Sequence, residues 1–222
     1  MTTMFQKTVT CAHCQAENNV SEIGSTNAFG SMDLDMRPPP MERDTLDMLI
    51  HRCQTCGYCA PDLEEHAGHK DLLDSPGYRA ILDDGRYPDL ARTYLAHALI
   101  AESAGDLVAA ALAQRSAAWV CDDQGADMAD SARCCRIAIL RLLESLHQAD
   151  QTFTDDRVSD SILELDLLRR AGQFDETRQR ASALLQTALP DILRSISAFQ
   201  LELAGSRDGA CYRVVDAVEG AG

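Results

Sequence analysis

Residues 51–60 read HRCQTCGYCA, and residues 10–16 read TCAHCQA. The two stretches supply the Cys-x-x-Cys pairs Cys11/Cys14 and Cys53/Cys56, with 38 residues between them. A Cys-x-x-Cys turn aims both sulfurs at one point, so two such turns supply a tetrahedral set at roughly 2.3 Å from a zinc ion. Gly57 lets the backbone fold under the ion after the second pair and offer its amides to the sulfurs. In the first pair Gln15 stands where glycine would be easier. The separation exceeds the fifteen to twenty residues of the compact pattern, so the linker must carry structure of its own. The expected centre is one structural Zn2+ per chain on Cys11, Cys14, Cys53 and Cys56.

Other thiol chemistry fits less well. A redox Cys-x-x-Cys opens a helix after a strand in a βαβ unit, and neither pair has that context. Iron in a rubredoxin-like site uses the same ligands, and sequence leaves it open. Cys59 extends the second pair to Cys-x-x-Cys-x-x-Cys, but no following Cys-Pro completes an iron–sulfur run; it reads as a small buried residue behind the knuckle. Cys121, Cys134, Cys135 and Cys211 read as fillers of a helical core. Nine cysteines make an odd set, which suits a bridged framework poorly. His13 and His51 read as surface residues, and His66 with His69 as a solvated helix start rather than a second metal site.

Working outward, the chain changes texture near Ala60-Pro61. Residues 1–60 are rich in Thr, Asn, Gly, Pro and Cys, with β-like pieces KTVTC and NNVSEIG. Residues 61–222 are rich in Ala, Leu, Arg, Asp and Glu with helical periodicity. The fold class expected is mainly α. A small N-terminal β zinc-ribbon-like module spans 1–60, and a tetratricopeptide-like bundle of six or seven helices spans 61–222. The bundle reading rests on two similar steps, AGDLVAAA from Ala104 and AGQFDETR from Ala171, 67 residues apart. That is close to two tetratricopeptide periods. Gly105 and Gly172 would end one helix in the left-handed conformation, and Leu107 and Phe174 would start the next. MADSARCCRIAILRLLESLHQ between them is helical without such a turn. Leu185, Leu189, Ile192, Ile196, Phe199 and Leu203 form an apolar stripe, with Pro190 marking a fresh helix. A dimer through that stripe is possible, though packing within the chain suits it better. A last short helix is expected over CYRVVDAV.

The net charge of −15 repels phosphate backbones, so no nucleic-acid partner is expected. A basic or neutral protein partner suits the field better. No apolar run approaches the eighteen or so residues of a membrane span. MTTMFQKTVTC lacks an apolar stretch after Lys7, so no signal peptide is expected and a cytoplasmic location follows.

GSTNAFGSMDLDMRPPPM, taken with CAHC before it and CQTCGYCA after it, resembles an uncharacterised bacterial family. In that family a zinc-ribbon-like segment precedes tetratricopeptide-like helices. The resemblance implies Cys11, Cys14, Cys53 and Cys56 as the metal set and a helical scaffold for protein contacts. Asp33 and Asp35 lie two apart, facing one side of a strand. They could bind a divalent cation or a basic group, or pair with Arg37 or Arg43 and fix the insert against the helices; the second suits them better. No Ser/His/Asp arrangement or phosphate loop is visible. The function expected is therefore a non-enzymatic protein–protein adaptor with a structural zinc site. A metal- or redox-responsive regulator and a metal-dependent enzyme using Asp33 and Asp35 are the alternatives. Tyr94, His97, Arg169 and Arg170 are candidate groove residues, and Trp119 reads as core.

Overall fold

Val9 on one strand, and Asn18 and Val20 on the next, are buried while their chain neighbours face outward, the period-two pattern of a half-buried hairpin. The computed structural model, which describes residues 2–65 and 70–219, pairs β1 (Thr3–Thr10) antiparallel with β2 (Glu17–Ser25). Val9 stands opposite Asn18 and Lys7 opposite Val20. After a 3-10 turn at Arg43–Met48, the short strands β3 (His51–Arg52) and β4 (Cys59–Ala60) pair across the second cysteine turn.

No helix starts at Pro61; the chain turns through 63–65, and the first helix, α1 (Lys70–Leu73), follows later. His66 and His69 lie outside the described residues. Next come α2 (Pro76–Leu82), α3 (Asp89–Ser103), α4 (Leu107–Asp123), α5 (Ala129–Gln148), α6 (Arg157–Arg170), α7 (Phe174–Leu184), α8 (Asp191–Gly205) and α9 (Val214–Glu219). The chain is mainly α, with the small sheet at its N-terminal end. Six of these helices, α3 to α8, reach 11 residues or more among the described residues.

Gly105 (φ 79°) and Gly172 (φ 80°) close α3 and α6 as expected, and α4 and α7 start at Leu107 and Phe174. The Asp106 N–H donates to Ala101 O and the Gln173 N–H to Leu168 O, both at 2.9 Å, the six-to-one bond of a Schellman turn. Two further helices end alike on residues that gave no warning. Asp150 (φ 56°) closes α5 and Arg207 (φ 57°) closes α8, with Gln151 N–H to Leu146 O and Asp208 N–H to Leu203 O, again 2.9 Å each. Pro190 caps α8 as expected.

Contacts divide the chain into two units, each made of two stretches: 1–29 with 40–135, and 30–39 with 136–222. In the first, Tyr94, Ala98, Ala117, Trp119 and Cys135 pack with Leu46 and Ile50 of the 3-10 region. Val9, Val20, Tyr58 and Leu63 pack with Tyr78, Ala96 and Ile100, joining the sheet module to α2 and α3.

In the second unit, Leu34 of the insert packs with Ile162, Ile196 and Ala217. Its N–H donates to Tyr212 O at 2.8 Å, the Val214 N–H donates to Met32 O at 2.9 Å, and Asp33 bridges Arg213. Asp33 and Asp35 are buried; Asp35 meets Arg170 at 2.5 Å and Arg136 at 3.8 Å, and its Oδ1 accepts from the Arg37 N–H at 3.3 Å. Beside them Arg169 has no exposed surface. It donates to Gln200 Oε1 at 2.6 Å, Asp166 Oδ1 at 2.7 Å, and the carbonyls of Asp208 and Ala210 at 2.9 and 2.8 Å.

These placements correct several expectations. Tyr94, Arg169 and Arg170 are interior, and half-buried His97 spends its ring on the Cys59 carbonyl, so none of the four offers a free groove surface. Cys134 and Cys211 are exposed, unlike Cys121 and Cys135, and Cys211 precedes α9 instead of opening it. Ile192 is exposed; the inner face of α8 runs through Ile196, Ser197, Gln200, Leu203 and Ala204, a register set by the polar Gln200 that binds Arg169. Trp119 is core.

Removing one partner from a buried ion network strands the others and costs about 3–5 kcal/mol. Arg169→Met is expected to lower the unfolding free energy by that amount in urea denaturation. Arg178→Met, at an exposed arginine 3.7 Å from Asp175, should change it by less than about 0.5 kcal/mol.

Candidate metal centre

Both cysteine turns are built alike. In the first, the Cys11 N–H donates to Ala16 O at 2.9 Å and the Gln15 N–H to Cys11 O at 2.8 Å. In the second, the Cys53 N–H donates to Tyr58 O at 2.8 Å and the Gly57 N–H to Cys53 O at 2.9 Å. Each turn therefore needs a left-handed residue one step after its second cysteine, and Gln15 (φ 62°) and Gly57 (φ 79°) supply it. Gln15 bears the cost of a side chain there, roughly 1–2 kcal/mol. It offsets part of that by donating its own amide to Ala12 O at 3.2 Å.

The two turns meet face to face. Cys11 Sγ lies 3.7 Å from Cys56 Sγ, Cys14 Sγ lies 3.6 Å from Cys53 Sγ, and all four sulfurs fall within 4.8 Å of one another. A disulfide would hold a pair near 2.05 Å, and all nine cysteines are free thiols. Four ligands at roughly 2.3 Å on the corners of a tetrahedron stand about 3.8 Å apart, so the spacing is that of a tetrathiolate cage. Cys11 and Cys53 are buried, and Cys14 and Cys56 half-buried. Among the described residues no other group of three or more His, Cys, Asp or Glu side chains gathers in this way. His13 and His51 are half-buried and stand outside the set, as do Asp33 and Asp35.

The cage is electrostatically uneven. Burial pushes the Cys11 and Cys56 thiols up. Burial acts the same way on Cys53, but the Cys56 and Thr55 amides, the Asn18 side chain and the Cys14 thiol together outweigh it and bring that thiol down to about 6. Cys59 is wholly buried behind the turn, its thiol pushed up by burial to about 12, which suits an inert filler.

The helical body reaches under the second turn. Tyr78 Oη donates to Gly57 O at 2.8 Å, Arg79 Nη1 to Cys56 O at 3.0 Å, and His97 Nδ1 to Cys59 O at 3.2 Å. The second half of the turn and the start of β4 are thus fixed to α2 and α3 through their own carbonyls. Asn18 is the residue that sequence reasoning missed. It is buried on β2, donates to Cys53 Sγ at 3.5 Å, and accepts from the Gln54 N–H at 3.1 Å. Its shared parity with Val20 was the available signal, since a polar side chain on the inward face of a hairpin has to find partners.

Compared with family models, with curated proteins and with solved structures, the chain matches none.

A β-carbon added at Gly57 would stand 2.9 Å from Leu82 Cδ1 and 3.3 Å from Arg79 Nη1, at a φ that side chains disfavour. Gly57→Ala is expected to lower thermal stability by about 1–2 kcal/mol through backbone strain alone, with the clash adding to it. A melting temperature equal to that of the parent protein would contradict this account of the turn.

Proposed function

We propose that Cys11, Cys14, Cys53 and Cys56 hold one structural zinc ion, and that the protein is a non-enzymatic adaptor whose helical part engages another protein. The observation that carries the metal reading is the sulfur spacing of 3.6 and 3.7 Å between residues of two distant turns. Crowding four thiols without a cation gains little, whereas a bound zinc supplies apparent folding energies of about 10–16 kcal/mol to such sites. With four protein ligands in place the ion has no open position for substrate, which is the mark of a structural rather than a catalytic centre.

The adaptor reading is supported by how the remaining candidate chemistry is used. Asp35 is neutralised by Arg170 and Arg136, and Asp33 lies against Cys211 and the Arg213 backbone, so the pair serves as a structural anchor for the insert. That use argues against a second, catalytic ion. The charge of −15 favours a basic or neutral protein surface over nucleic acid. No helix among the described residues is long and apolar enough to cross a membrane.

Metal analysis of the purified chain should return one zinc per chain, and iron instead would make the site rubredoxin-like. Cys11→Ser or Cys53→Ser should abolish stoichiometric binding and destabilise the first unit. Under mild peroxide the zinc should stay bound until the protein unfolds. Release from the still-folded chain would favour a redox-responsive regulator over a structural centre.

A further inference from the structure

Asn18 lies on β2, buried, between the two cysteine turns. Both donors and the acceptor oxygen of its side-chain amide are engaged. One N–H of Nδ2 donates to Ala16 O at 3.0 Å, which closes the first turn, and the other donates to Cys53 Sγ at 3.5 Å, a ligand in the second. Oδ1 accepts from the Gln54 N–H at 3.1 Å. The orientation is determined by this set. Turning the amide over would aim its oxygen at a carbonyl and a sulfur, both acceptors, and its nitrogen at an N–H donor.

Neighbouring residue types would not serve. An aspartate keeps the shape and the acceptor for Gln54 but places negative charge against a carbonyl and a thiolate. An alanine leaves the Gln54 N–H and the sulfur without this partner. Asn19, the next residue, points outward and accepts from Thr8 Oγ1 at 2.9 Å, so the same chemistry one position on does not reach the cage.

We propose that Asn18 is a positioning residue of the metal centre, a donor outside the ligand set that holds Cys53 Sγ in its ligating orientation and draws charge from it. This inference rests on the metal reading above. Its physical basis is that outer partners of metal ligands orient them and tune their donor strength, and that losing one typically costs 10–100-fold in metal affinity. The amide links the first turn to the second through one side chain, so seating β2 and aiming Cys53 become a single event. The Asn18 donor to Cys53 Sγ comes from β2, a part of the chain outside the second turn, which lets the hairpin act on the ion without ligating it.

The test compares Asn18→Asp and Asn18→Ala with Asn19→Asp and the parent chain, each loaded with Zn2+ or Co2+. Competition with a chromophoric chelator should show 10–100-fold weaker zinc binding for both Asn18 variants and parent-like binding for Asn19→Asp, which adds the same charge outside the cage. In the Co2+ forms, loss of the N–H donor should move the sulfur-to-cobalt charge-transfer band to lower energy, a change that a purely structural role would not produce. Asn18→Ala removes the donor without adding charge, so it remains informative if Asn18→Asp fails to fold; far-UV circular dichroism of the loaded protein separates the cases. Parent-like affinity and an unmoved band in the Asn18 variants would overturn this inference and leave the metal centre standing. A parent chain that binds neither ion would overturn the metal reading, and this inference with it.

Discussion

Everything in the first unit is arranged around the convergence of two turns that lie some forty residues apart in the chain. Four thiols within 4.8 Å are a poor arrangement for neutral groups and a worse one for anions. The fold nonetheless spends strained backbone at Gln15, a buried amide at Asn18 and three donors from α2 and α3 on holding them there. Such an outlay on aiming four sulfurs at one point is hard to account for by packing. A cation at the centre would reverse the sign of the electrostatics and turn each of these features into support.

The second unit solves the same problem of a small core by other means. Its interior holds Asp33, Asp35, Asp166, Arg37, Arg136 and Arg169, all nearly sealed from water. Burying so much charge contributes little net stability, because desolvation offsets most of the attraction. What it confers is specificity. Arg169 has acceptors on α6, α8 and the 208–210 turn, and Asp35 brings the insert to Arg136 on α5 and Arg170 on α6. A helical register slip or a detached insert would leave several charges unpaired at once. The insert, which interrupts the cysteine module in sequence, therefore belongs to the second unit in space.

What sequence revealed and what it hid follow one rule. Features set by local geometry were readable: the two cysteine turns, the hairpin from its alternating pieces, the glycine-terminated helices, the start of α8 at Pro190. Features set by tertiary partners were not. Asp150 and Arg207 close helices in a conformation that their side chains disfavour, and only the packing of the following segment requires it. Arg169 and Arg170 look like surface arginines at the end of a helix, and nothing nearby in the chain announces that their acceptors lie on α8, in the 208–210 turn and in the insert. Gln200 hides in an apolar stripe for the same reason. Asn18 stood between, since its parity was visible and its partner was not.

The unevenness of the cage bears on how it would respond to stress. Cys11 and Cys53, the first cysteine of each turn, are buried, while Cys14 and Cys56 are half-exposed. An oxidant reaches the second cysteines first, and Cys56 has its carbonyl held by Arg79, whereas no helical side chain among the described residues braces the Cys14 carbonyl. A thiolate needs room to attack the oxygen of a peroxide, and a metal-bound thiolate fixed by its own turn has little. Release would thus begin at Cys14, on the turn that carries the strained Gln15. Relaxing that strain favours opening by only about 1–2 kcal/mol, small beside the folding energy that a structural zinc contributes. An ion bound there would be held for as long as the hairpin and α2 remain in place.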